Sequence, residues 1–186
     1  MKLFSKKKLH EDTIEISFSE LISVTGGVIA GTLLVSLVNS IGFLAGLFIL
    51  YPGLLEMNGN IYTSLAARLS NLLILGKMNT KKELNKFLLE TVFSVFFLAF
   101  IVSLFLGLSI YFFTYFIFHS SNSIIISASV LSSLLGSLFQ IPLTIYITIW
   151  VYRHNLDPEN IMGPDITTFS DVISIVSLVI AVKVLI

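Results

Sequence analysis

The chain has 186 residues, of which 55% are hydrophobic and only 12% charged, and its 11 basic side chains balance its 11 acidic ones. That is about half the charge of a soluble domain, too little polar surface to cover a water-facing core, so a soluble enzyme, a disordered chain and a nucleic-acid binder are excluded. The lack of cysteine removes disulfide scaffolds and thiolate metal sites as well.

What remains is an all-α integral membrane protein of one domain. Residues 1–17 carry Lys2, Lys6, Lys7 and Lys8, followed by His10, Glu11, Asp12 and Glu15. Acids between the lysines and the first apolar stretch argue against a cleaved signal peptide, so this segment reads as a basic cytoplasmic arm. Residues 18–186 hold five hydrophobic stretches: Phe18–Ser40, Ile41–Met57, Phe87–Phe118, Ile124–Tyr152 and Ile166–Ile186. All but the second approach or exceed the ~20 residues that cross a bilayer. In the first, Gly26, Gly27, Ala30 and Gly31 resemble a close-packing face. The third is long enough to tilt or project, with Tyr111, Tyr115 and His119 suited to an interfacial belt. The fourth contains Gln140 and Pro142, the latter expected to kink it.

Lys and Arg set the orientation. The arm, the Lys77–Lys86 segment and Arg153 are basic, whereas the turn at Asn39–Ile41 and the loop His119–Ser123 hold no Lys or Arg. Five crossings then put the N-terminus in the cytoplasm and the C-terminus outside.

Two segments break the apolar pattern. The first runs from Tyr51 to Asn60 and includes Pro52, Gly53, Glu56, Asn58 and Gly59. Pro and two Gly predict an interrupted helix whose freed carbonyls, with Asn58 and Asn60, coordinate ions. Alternatively, Asn58-Gly59-Asn60 is a turn, and Ile61–Leu75, with Ser64, Arg68 and Asn71, is an amphipathic helix on the cytoplasmic interface. The second break runs from Asn155 to Asp171. Asp157-Pro158 has the form of a helix N-cap, with Glu159 in the first turn. Asp165 falls near the membrane edge, where water solvates it. Asp171 lies inside the hydrocarbon, where a carboxylate is costly unless it faces a wet path or a partner. Pairing with Arg68, or protonation against a neighbouring helix, is the structural alternative. Thr167, Thr168 and Ser174 share its helix face. Hydroxyls and a carboxylate are hard donors suited to Mg²⁺, Ca²⁺ or Mn²⁺. His10, His119 and His154 are isolated and read as interfacial side chains.

Together, Pro52, Gly59-Asn60 and Leu65-Ala66-Ala67-Arg68-Leu69-Ser70, with Asp157-Pro158-Glu159-Asn160, Pro164, Thr167-Thr168 and Asp171, resemble the membrane domain of the MgtE family of magnesium channels and transporters. The likeness runs from Glu20 to the C-terminus and is strongest to archaeal single-domain members and to the repeats of related eukaryotic solute carriers. It implies five transmembrane helices, with the second and fifth helices of two copies around a pore at the dimer interface. In this reading the acid matching Asp171 holds a hydrated Mg²⁺, the transported ion. Gly59 and Asn60 line the pore, and Thr167 and Thr168 assist near the cytoplasmic mouth. Glu56 stands where the family pattern has a small residue; with Asn58, Asp165 and Ser174 it completes the candidate pore lining. Bacterial members close the pore with a cytoplasmic sensor, a mode of gating that the short arm does not carry over. The resemblance thus implies a homodimeric divalent-cation pathway in the cell membrane. Two other readings are half of a heterodimeric transporter and an intramembrane metal-dependent enzyme. The enzyme is the weaker, because Asp171 has no His or second deep acid in its span.

Overall fold

The computed structural model describes residues 6–41, 45–77, 81–119, 122–154, 156 and 158–186, and the regular structure in them is helical. The helices are α1 (Lys6–Ile41), α2 (Ala45–Ile74), α3 (Lys81–Phe118), α4 (Ile124–Arg153) and α5 (Pro158–Leu185). Four of them are long and apolar enough to cross a membrane, over Asp12–Val35, Asn85–Phe118, Ile124–Arg153 and Ile161–Leu185. Helix α2 is about 45 Å long but is not among them, since its polar residues dilute it. Helix α1 takes in most of the basic arm and runs to Ile41, through the expected turn at Asn39–Ile41. The expected N-cap Asp157 lies outside the described residues, and Pro158 is the first residue of α5.

The structure corrects the reading of α2. Pro52, Gly53, Asn58, Gly59 and Asn60 all lie within one unbroken helix, so neither an interruption nor a turn is present there. The reason is the cost of open backbone in hydrocarbon. Each unpaired N–H or C=O costs several kcal/mol, whereas a helical Gly costs only ~1 kcal/mol relative to Ala. Continuity wins. For the same reason α4 and α5 run on through Pro142 and Pro164. Helix α2 stops where the chain leaves the apolar region. Gly76 adopts φ 64°, its N–H donates to the Leu73 carbonyl at 3.1 Å, and the Lys77 N–H donates to Leu72 at 3.1 Å. This is the left-handed cap that glycine accommodates without strain.

Helix α5 is the centre of the bundle, contacting α1, α2 and α4, while α4 also packs on α2 and α3. Among the described residues α1 packs on α5 alone. Two apolar clusters fill the interior. One contains Met57, Tyr62, Ile141, Met162 and Ile166, the other Leu50, Leu54, Ile110, Ile125 and Leu178. Between them, at the level of Asn58 and Ser174, the core turns polar.

Close approaches depend on small residues, as expected where packing rather than hydrophobicity joins helices. Ser129, Ser132, Ser133 and Ser137 of α4 are buried, and Ser129 Oγ donates to the Ser103 carbonyl of α3 at 2.7 Å. A Cβ at Gly107 would sit 2.9 Å from the Ile126 Cα. The expected small-residue face of α1 is only half used. A Cβ at Gly26 would collide with Thr168, and Ala30 is buried, but Gly27 and Gly31 face open space. Gly107→Ala is therefore expected to destabilise the protein by about 1–3 kcal/mol through overpacking against backbone. Gly59→Ala, whose Cβ meets only the Thr167 Cγ2 at an ordinary 3.6 Å, should be neutral or slightly stabilising. Thermal unfolding in detergent separates the two.

Candidate functional site

Asp171 lies about 15 Å of helical rise beyond Ile161, the start of the apolar part of α5, and so near the middle of a ~30 Å hydrocarbon core. It is half-buried. Among the described residues nothing hydrogen-bonds to its carboxylate or pairs with it. Helices α2 and α5 pack together along this stretch, with Gly59 against Thr167 and Asn58 bonded to Ser174, so Glu56 and Asp171 flank one α2–α5 seam. Arg68 does not neutralise it: the guanidinium is exposed and lies about 18 Å along α2 from Glu56.

Helix α2 presents a polar stripe beside this acid. Glu56, Asn60, Ser64, Arg68 and Asn71 recur at intervals of three to four residues and all are exposed. The opposite face buries Met57, Ile61, Tyr62, Leu65 and Leu69 in the bundle. Asn60 Nδ2 donates to Glu56 Oε1 at 2.9 Å, which holds the carboxylate along the helix. Gly59 is buried against Thr167; its carbonyl belongs to an unbroken helix and is not a freed ligand. The Thr167 hydroxyl donates to the Gly163 and Pro164 carbonyls at 3.0 and 2.9 Å. With its proton occupied, its oxygen can only accept. Thr168 donates to Pro164 at 2.7 Å, but its side chain packs against Gly26 of α1, away from the seam.

Two residues expected on the pore wall are instead inside the bundle. Asn58 and Ser174 are buried, and Asn58 Nδ2 donates to Ser174 Oγ at 2.7 Å. Gln140 of α4 completes the latch. Its Nε2 donates to Ser174 Oγ at 3.1 Å and reaches the Ser170 carbonyl at 3.4 Å, while its Oε1 accepts from Ser170 Oγ at 3.1 Å. Gln140 thus grips α5 on both sides of Asp171, and Asn58 ties the same point to α2. These bonds set the rotation of α5 that turns Asp171 toward the open face. The Asn58 Oδ1 is left buried without a partner. Gln140 was legible in the sequence only as a lone amide in an apolar span, which is itself a signal that it must find a partner.

Asp165 also departs from expectation. It is buried rather than solvated at the membrane edge, and it accepts a hydrogen bond from Ser19 Oγ at 2.9 Å. It lies about 120° around α5 from Asp171, in the α1–α5 interface, because the apolar part of α5 begins earlier than Ile166, at Ile161. His154 caps α4, with Nδ1 2.8 Å from the Trp150 carbonyl and the two rings 4.3 Å apart.

Among the described residues no group of three or more His, Asp or Glu could hold a metal ion. One copy of the seam therefore offers two carboxylates, Glu56 and Asp171, with amide and hydroxyl oxygens around them. A family model described as MgtE, divalent cation transporter, matches residues 51–181, which include every residue of this seam. No curated protein and no solved structure matches the chain.

Proposed function

Since the chain belongs to the MgtE family of divalent cation transporters, we propose that it carries Mg²⁺ across the cell membrane between two copies of itself, with Asp171 as the central ion-binding carboxylate. The observation that carries this reading is the mid-depth Asp171, unpaired among the described residues, beside the exposed Glu56–Asn60–Ser64 stripe. Facing lipid, such a surface would be costly. Turned toward its own copy across a two-fold axis, it becomes the wall of a wet path, and symmetric dimers are the commonest assembly. Two Asp171 and two Glu56 then supply four carboxylates to a dication. Mg²⁺ gives up water reluctantly. A wide site in which Asn60 and Thr167 oxygens accept protons from its hydration shell suits it better than a tight cage. A membrane potential negative inside draws a double charge inward by about 4.6 kcal/mol per 100 mV.

The same arrangement explains why α2 is too polar to count as a span by composition, yet would cross as the fifth. Its polar face meets the second copy and only its remaining surface meets lipid. Five crossings, with the exposed Lys77, Lys86 and Arg153 on the cytoplasmic side, put the N-terminus inside and the C-terminus outside.

Because the chain has no cysteine, single cysteines test the arrangement cleanly. With a short thiol crosslinker in vesicles, Asn60→Cys and Ser64→Cys are expected to give covalent dimers. Phe139→Cys, on the exposed outer face of α4, is expected to stay monomeric. The opposite pattern would remove the shared path.

A further inference from the structure

Helices α3 and α4 enclose a cavity of about 530 Å³, walled by Leu88, Val92 and Phe96 of α3 and by Leu138, Ile145 and Ile149 of α4. Its α4 wall, Leu138 to Ile149, is about 17 Å of helix, close to half the ~30 Å hydrocarbon core. The groove therefore has the depth of one leaflet. Its walls run from Phe96 and Leu138 to Leu88, near the start of α3, and Ile149, near the end of α4.

The chemistry changes at that end. Arg153 stands one turn past Ile149, only about 40° around α4 from it, and is exposed. Across the gap, the register of α3 puts Glu90 about 160° around the helix from Leu88. Glu90 is moreover engaged by Lys86 at 3.9 Å on that far side. Among the described residues, the cation on the groove's face is thus Arg153, and Glu90 is turned from it. An apolar slot one leaflet deep with an arginine at its rim suits one molecule: we infer that the α3–α4 groove holds an acyl chain of an anionic phospholipid of the cytoplasmic leaflet, with its phosphate on Arg153. A zwitterionic lipid would fill the slot but gain less from the rim, and a free anion would use the rim but not the slot.

The test uses the full chain in phosphatidylcholine vesicles carrying a trace of photo-crosslinkable phosphatidylglycerol or of a matched phosphatidylcholine probe. Labelled peptides are mapped by mass spectrometry. Wild-type protein is expected to be labelled on α3 and α4 more strongly by the phosphatidylglycerol probe. Arg153→Gln should lower that labelling about fivefold, the effect of one basic side chain at an anionic surface, and leave phosphatidylcholine labelling unchanged. Ile145→Trp, which fills the slot, should lower labelling by both probes. Equal labelling by the two probes in wild type, unchanged phosphatidylglycerol labelling in Arg153→Gln, or competition by soluble glycerol phosphate would each overturn the assignment.

Discussion

Asp171→Asn is expected to lower Mg²⁺ uptake into vesicles by about 100-fold or more. A dication and a carboxylate ~5 Å apart through a shared water attract by roughly 7 kcal/mol at an effective dielectric of ~20. Only part of this has to survive desolvation to produce the loss. In a symmetric pair the substitution removes two such charges at once. The neighbouring acid provides the control. Asp165→Asn keeps an acceptor oxygen for Ser19, and its carboxylate lies in the α1–α5 interface, so uptake should persist. Full uptake by Asp171→Asn, or equal loss in both variants, would show that the mid-membrane carboxylate is not the ion's binding group.

The second large effect concerns the latch. Gln140→Leu removes one side chain that bonds Ser170 and Ser174 together and leaves the Ser170 hydroxyl without its acceptor. Interhelical hydrogen bonds in membranes average about 0.6 kcal/mol each, and an orphaned buried donor costs a further ~1–3 kcal/mol. A loss of about 2–4 kcal/mol is therefore expected in reversible unfolding. Combining it with Ser174→Ala measures the coupling directly. A latch predicts a combined loss well short of the sum of the two single losses, whereas independent sites would add within about 0.5 kcal/mol. Because the latch sets the rotation of α5, Gln140→Leu should also reduce uptake in protein that remains folded.

Polar residues in a greasy chain are conspicuous, and their positions were legible without coordinates. Asp171, Glu56 and Asn60 stand out because each is costly in hydrocarbon. Their sorting was not legible. Asn58 and Asn60 are the same residue type two positions apart, yet one is buried on Ser174 and the other is exposed beside Glu56. An extended or broken segment would have let both face the path. In a continuous helix they lie about 160° apart, so only one can. Asp165 and Asp171 divide between α1 and the open seam for the same reason.

Sequence alone determined the membrane class, the number and order of the apolar stretches, and the presence of an acid deep in the last of them, because hydrocarbon penalises every polar group regardless of its neighbours. Tertiary structure alone decided that α2 runs unbroken through Pro52 and Gly59, and that Gln140, Asn58 and Ser174 lock three helices while no described residue pairs with Asp171. Those outcomes depend on which face of each helix meets its neighbours. That rotation is set jointly by residues far apart in the chain, and no local pattern records it.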